Sequence, residues 1–292
     1  MNLVYIAIGD NINMRLQAAF SIYSFLTNAP GINSINIITD HPDYYNFLAD
    51  KVMVITIDSK KVKEWKGDYN YLWRLKLKAI ELVCDMYRGK PVVYLDGDTF
   101  LYNGFSDFKK LLLSGKALMH ENEGPISQAR NKTAKTMWSQ LKGKTYEGII
   151  VDEKKCMWNA GVIAIPNNNG EKSILTALKI CDAMCKDGVK QGLIEQFSVS
   201  LALSEAYDLE SADKYIAHYW SNKNEWTEEI SKFLLANYFA SRSNEEIIKE
   251  MSEFSYSVLP IKKKPKNTKE RLNKLLEKIF PAKEIKYINK TI

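Results

Sequence analysis

Val92-Val93-Tyr94-Leu95-Asp96-Gly97-Asp98-Thr99 is the stretch whose reading decides the fold. Four apolar residues predict a buried strand, and two aspartates follow where the apolar run stops. In an extended chain, residues i and i+2 point to the same side, so Asp96 and Asp98 present paired carboxylates at the strand's carboxyl end. Gly97 lets the backbone turn between them and lets a ligand approach closely. Ligands of open α/β sheets bind at that edge, and two carboxylates there form an oxygen site for Mg²⁺ or Mn²⁺. A divalent ion so held neutralises a diphosphate and stabilises the charge that develops as it leaves. Two other readings of the octapeptide stay open. An Asp-Gly-Asp turn can simply solvate its carboxylates. Phosphatases with an Asp nucleophile also place Asp-x-Asp after an apolar strand, but there Gly-Thr follows, whereas here Thr99 follows Asp98 directly.

Outward from this strand the chain alternates. Leu3–Ile8 reads as a buried strand, Gly9-Asp10-Asn11 as a turn, and Asn13 as the cap of a helix with Leu16, Ala19, Phe20 and Tyr23 on one face. Ile35–Ile38 is a second strand, ended by Thr39-Asp40-His41-Pro42, and Val52–Ile57 a third. A helical pattern runs from Tyr71 to Tyr87, Gly89-Lys90-Pro91 closes it, and Pro91–Leu95 is the fourth strand. Strand–helix–strand alternation over a hundred residues predicts an α/β fold with a mostly parallel central sheet flanked by helices. Ala117–Met119 and Val162–Ile165 are further short strands, and helices are expected at Glu171–Lys186 and Gly192–Leu203. Residues 122–156 are polar, Lys-rich and poorly periodic, and read as an excursion over one face.

Composition narrows the function. With 46% hydrophobic and 26% charged residues the chain has an ordinary globular balance. Four cysteines with no Cys-x-x-Cys pair exclude a disulfide scaffold and argue against zinc, and Cys181 and Cys185 read as small apolar helix residues. No apolar run approaches the roughly 18–20 residues that span a bilayer, and Leu3–Ile8 lacks the basic flank of a signal peptide. The expected compartment is therefore reducing and cytoplasmic, with the inner face of the membrane as a second possibility. The net charge of +6 sits at one end: residues 261–292 carry eleven Lys or Arg against three Glu, while residues 1–260 carry 30 basic and 32 acidic residues. A nearly neutral body disfavours nucleic acid as a partner. In the tail, Asn267 and Glu270 have capping-box spacing, and Leu272, Leu275, Leu276, Ile279 and Phe280 form one apolar stripe among Lys269, Arg271, Lys274 and Lys278. Such a helix docks on its own protein or lies on an anionic membrane. The expected division is a domain over 1–260 and a basic amphipathic tail over 261–292.

The order of segments resembles the GT-A glycosyltransferases that use nucleotide-sugar donors, and among them the retaining enzymes of glycosyltransferase family 8. The likeness covers roughly residues 3–226. Ala7-Ile8-Gly9-Asp10-Asn11 is similar to the family's nucleotide-binding start, and Ser21-Ile22-Tyr23-Ser24-Phe25-Leu26 to its Ser-x-x-Ser-Leu helix. Trp73-Arg74-Leu75-Lys76-Leu77 resembles its Tyr-x-Arg-Leu helix, Tyr94–Thr99 its metal motif, and Trp158-Asn159-Ala160-Gly161-Val162 its Phe-Asn-Ala-Gly-Val strand start. Glu195-Gln196 stands where the family has Asp-Gln, and His218 where it has a metal-binding His. In the run His218–Trp226, Ser221 replaces the family's Gly and Lys223 comes one place early.

The resemblance implies a Rossmann-like GT-A fold and a hexosyltransferase that moves a hexose from a UDP-sugar to a glycan or lipid-linked acceptor hydroxyl, with retention. It implies Asp96, Asp98 and His218 as ligands of Mn²⁺ or Mg²⁺, with Ala7, Ile8, Asp10, Asn11, Gly97, Asn159 and Ala160 around the donor. Arg74 and Lys223 would hold the phosphates, Gln196 would lie under the anomeric carbon, and Glu195 would stand beside it. Glu121 is a candidate for a sugar hydroxyl contact, and Tyr69, Tyr71 and Trp73 for stacking on sugar or base. Two alternatives remain: a metal-dependent phosphatase or nucleotidyltransferase, and a non-catalytic nucleotide- or glycan-binding module on the same fold.

Overall fold

The computed structural model describes residues 1–166, 169–190 and 192–263, with Leu272, Leu275, Leu276 and residues 278–280 beyond them. Its strands are β1 (Asn2–Ala7), β2 (Ser34–Thr39), β3 (Met53–Thr56), β4 (Val92–Leu95), β5 (Thr99–Leu101), β6 (Ala117–Met119), β7 (Asn122–Pro125), β8 (Thr145–Tyr146), β9 (Ile149–Ile150), β10 (Cys156–Trp158), β11 (Val162–Ile165), β12 (Leu209–Ser211) and β13 (Ile216–His218). Its helices are α1 (Ile12–Asn28), α2 (Ser59–Lys66), α3 (Arg74–Met86), α4 (Phe105–Leu113), α5 (Lys132–Leu141), α6 (Gly170–Lys186), α7 (Ile194–Ala206), α8 (Lys223–Phe239) and α9 (Asn244–Ser252).

Seven strands form the central sheet in the order β12-β6-β11-β4-β1-β2-β3. Every neighbouring pair is parallel except those of β11, which runs against both β4 and β6. The mixed α/β architecture with a mostly parallel sheet is as the alternation predicts. The reversal at Val162–Ile165 is not, because an apolar run carries no direction. Side chains alternate across the sheet: Leu3, Tyr5 and Ala7 enter one core, with Phe20 of α1 and Trp226 of α8, while Val4 enters the other, with Ile80 of α3 and Phe197 of α7. A fully buried Leu, Ile or Phe contributes about 1.5–3 kcal/mol, so two such layers hold the sheet between helices.

Three local expectations need correction. The cap of α1 is Asn11, not Asn13; its extended backbone lets its side chain accept the N–H groups of Asn13 and Met14. The third helix begins at Arg74, not Tyr71, because the chain turns through Gly67 (φ 66°) and Asn70 (φ 48°) in the left-handed region first. Residues 122–156 are more ordered than their composition suggests: β7 pairs with β10, β8 with β9, and α5 buries Ala134, Met137 and Leu141. That helical spacing was present but diluted by Lys, Ser and Thr.

Two features of topology place the site. The chain winds from β1 outward to β2 and β3, then returns to lay β4 on the other side of β1. The crevice at the carboxyl ends of β1 and β4 is thus the point where strand order reverses, where open α/β sheets bind ligands. Outside the sheet, β5 and β13 form an antiparallel ribbon whose register sets His218 opposite Thr99. At the C-terminal junction Ile261 packs on the core, and Lys262 and Lys263 pair with Glu121 and Glu225. Leu272, Leu275, Leu276 and Ile279 are helical and, like Phe280, exposed. The expected cap at Asn267 and Glu270 and the basic flank of Lys269, Arg271 and Lys274 lie outside the described residues, among which no helix is long and apolar enough to cross a membrane.

Candidate active site

Asp96 and Asp98 stand just past β4, in a cleft of about 380 Å³ that Ile6, Ile8, Trp73 and Lys76 also line. Asp96 N donates to Gly161 O at 2.8 Å, and Tyr219 N donates to Asp98 O at 3.1 Å, so the backbone around the pair is tied to the residue before β11 and to the residue after β13. Ligand atoms of Asp96, Asp98 and His218 all lie within 4.8 Å of one another. His218 Nε2 is 3.5 Å from Asp98 Oδ1 and 4.0 Å from Asp96 Oδ2. The ribbon register accounts for this meeting across 120 residues of chain.

The residues fit a divalent ion on the evidence of the tautomer. His218 Nδ1 lies 2.9 Å from Asn159 Oδ1, which also accepts the Gly161 N–H at 3.0 Å. An amide oxygen only accepts, so Nδ1 carries a proton, and in the neutral imidazole that a metal ligand requires it is the Nε2 lone pair that faces the carboxylates. Two carboxylates and one imidazole are a donor set that Mn²⁺ accepts readily. Gly161 serves the same arrangement, because a Cβ there would overlap the His218 imidazole. Asn159 and Gly161 therefore orient the histidine, a role their place in the motif does not announce.

Each carboxylate also has its own ammonium. Lys76 Nζ lies 3.2 Å from Asp96 Oδ1, 3.1 Å from Glu195 Oε1 and 3.2 Å from Ala160 O, fully enclosed. Burial opposes its charge, but Asp96 and Glu195 outweigh this and raise its pKa above the ordinary lysine value. Tyr94 donates to Asp96 Oδ1 at 2.7 Å. Burial and the charge of Asp96 raise its phenol well above the usual value, so it keeps that proton. Lys223 Nζ is 2.9 Å from Asp98 Oδ2 and about half exposed. Burial alone would raise the Asp98 carboxyl, yet His218 and Lys223 hold it below the usual carboxylate range.

The remaining expected residues divide. Gln196 Nε2 reaches Glu123 Oε2 at 3.5 Å, and Asn159 Nδ2 reaches Glu123 Oε1 at 3.2 Å, so Glu123 joins two of them. Arg74 is placed on another face of α3: its guanidinium forks Asp182 of α6 at 2.6 and 2.9 Å and does not line the cleft. Asp10 pairs with His41 at 3.0 Å, Asn11 caps α1, and Ala7 is buried in β1. The side of Gly97 that a Cβ would occupy faces the α1 backbone, 3.4 Å from Met14 O and Ala18 N, rather than open cleft. Glu121 pairs with Lys262. Of the aromatic trio, Tyr71 is core, with its hydroxyl taking the Glu195 N–H at 3.2 Å, while Trp73 is half exposed at the cleft. Lys76 and Glu123 escaped the sequence reading. Lys76 lies two residues past Arg74, about 200° round the helix, so only one of them can face the acids.

No family model matches the chain, nor does any curated protein. Among solved structures, the chain is similar to the galactosyltransferase LgtC in complex with donor and acceptor sugar analogues, at 12% identity over 73% of this chain and 74% of that one, with a TM-score of 0.49. It is similar to mouse xyloside xylosyltransferase 1 in its apo form, at 12% identity over 72% and 85%, with a TM-score of 0.45. A third is the apo glycosyltransferase GlyE of Streptococcus pneumoniae TIGR4, at 14% identity over 72% of this chain but only 45% of that one, with a TM-score of 0.42. All three are glycosyltransferases by name; in this chain Asp96, Asp98 and His218 form a candidate metal site.

Proposed function

We propose that the chain is a metal-dependent GT-A glycosyltransferase that moves a hexose from a UDP-sugar to a hydroxyl of a glycan or lipid-linked acceptor, with retention of configuration. The observation that carries this reading is the Asp96–Asp98–His218 cluster at the switch point of the sheet, with Asn159 setting the histidine tautomer. Mn²⁺ or Mg²⁺ held by these three side chains supplies charge neutralisation for a diphosphate. The chain's own residues do the rest. Lys223, half exposed, moves from Asp98 to the leaving diphosphate. Lys76, enclosed, stays on Asp96 and Glu195 and keeps both carboxylates in place. Gln196, hydrogen-bonded to Glu123, is assigned to lie under the anomeric carbon of the donor sugar, and holding the two sugars in line contributes the proximity effect. In this assignment Arg74 clamps α3 to α6 rather than touching phosphate.

The exposed apolar residues Leu272, Leu275, Leu276, Ile279 and Phe280, in a tail rich in lysine, support a peripheral contact with an anionic membrane from the cytoplasmic side. The division into a domain over 1–260 and a tail over 261–292 goes with that reading. The test is release of UDP from a panel of UDP-sugars with and without Mn²⁺. Turnover that needs the ion and disappears in Asp96→Asn/Asp98→Asn is expected. Turnover unchanged in that variant would overturn the metal role, and release of phosphate from a simple phosphomonoester would favour a phosphatase. For the tail, retention of liposome binding after deletion of 261–292 would remove the membrane from the proposal.

A further inference from the structure

His218 lines a second pocket besides the transfer cleft, of about 430 Å³. That volume falls within the roughly 300–1,000 Å³ of small-molecule sites. Tyr102 and Asp213 come from the loops at the ends of β5 and before β13, His120 follows β6, and the C-terminal segment contributes Tyr256, Ile261 and Lys262. None of these has a part in the proposed transfer.

The walls are mostly apolar, with polar groups at a few points. Tyr102 is 40% exposed, and its hydroxyl donates to Asp213 O at 2.9 Å, which fixes the pose of the ring. Tyr256 stacks on Phe100 with ring centroids 4.9 Å apart. Asp213 Oδ1 accepts the Ser211 hydroxyl at 2.9 Å, which holds its carboxylate at the rim. His120 is only 2% exposed, and its Nδ1 has no hydrogen-bond partner among the described residues. Lys262 is paired with Glu121, so the pocket carries no surplus of positive charge to draw an anion. A fixed aromatic plate beside a carboxylate and an imidazole is the complement of a pyranose, which has an apolar C–H face and a rim of hydroxyls.

We propose that this pocket is a subsite for one neutral pyranose ring, separate from the transfer cleft and independent of any cation. The test is saturation-transfer NMR on the full chain with methyl glycosides of glucose, galactose, mannose and N-acetylglucosamine. Binding of at least one of them is expected, weakened about tenfold or more, some 1.4 kcal/mol, in Tyr102→Ala and in Asp213→Ala. Tyr102→Phe, which keeps the plate, should retain it. Binding should persist in Asp96→Asn/Asp98→Asn, so the result stands whether or not the chain transfers sugar. The proposal is overturned if no glycoside binds, if both alanine variants bind as well as the parent, or if inorganic phosphate displaces the sugar. Melting curves accompany each variant; should Tyr102→Ala unfold, Asp213→Ala alone decides.

Discussion

The first turn of α3 carries two cations that lead different lives. On one side Arg74 forks Asp182, a half-buried partner on α6, and ties two helices together where water still reaches the carboxylate. On the other side Lys76, two residues along, is sealed between Asp96, Glu195 and the Ala160 carbonyl. Both are ion pairs of similar length, but solvent decides their weight. A pair near water is screened and contributes little. A pair out of water cannot lose one member without stranding the other charge. The lesson is that the residue most conspicuous in the motif need not be the one that faces the acids.

The comparison breaks if the two sides respond alike. Lys76→Met should cost about 3–5 kcal/mol in urea unfolding, because Asp96 and Glu195 are left facing one another without a counter-ion. Adding Glu195→Leu should return part of that loss; a double variant no more stable than Lys76→Met would show that the pair is not the cause. Gly161→Ala should cost about 1–3 kcal/mol and also displace His218, so metal-dependent activity should fall further than stability alone explains. Asn159→Leu, which leaves Nδ1 without its acceptor, should weaken Mn²⁺ binding about 10–100-fold by calorimetry with the fold intact. Arg74→Ala, which removes a two-pronged contact to Asp182 and a hydrogen bond to Trp65 O, should cost about 1–3 kcal/mol and leave UDP release near the parent rate. A severe loss of activity in a well-folded Arg74→Ala would reverse the roles given to the two cations.

The last test is of pH dependence. Burial, with the neighbouring charge of His218 adding to it, pushes the His120 imidazole down to about 3. Between that value and its ordinary 6.5 the unfolded chain takes up a proton that the folded chain refuses. Stability should therefore fall as the pH drops through that window, and His120→Gln should flatten the slope. An unchanged slope would mean the imidazole is charged in the folded protein.

What could be read in the sequence depended on how local the signal was. The strand at 92–95, its acid pair and the helices around them rest on periodicity and on residues two to four apart, and those survive folding unchanged. The Asn11 cap and the late start of α3 were harder, since each is set by one or two backbone angles. The excursion at 122–156 hid the α5 helix because its three buried residues are spread among six polar or charged positions.

By itself, the order of residues determined the alternating α/β architecture, the parallel core and the paired carboxylates at a strand end, because each follows from spacing along one chain. The tertiary structure alone decided that β11 runs backwards, that His218 arrives beside Asp98 through the β5–β13 ribbon, that Asn159 and Gly161 shape its pose, and that Lys76 rather than Arg74 reaches the acids. Those are meetings between segments tens to more than a hundred residues apart. Strand register and helix rotation fix them, and neither quantity is encoded in any short stretch.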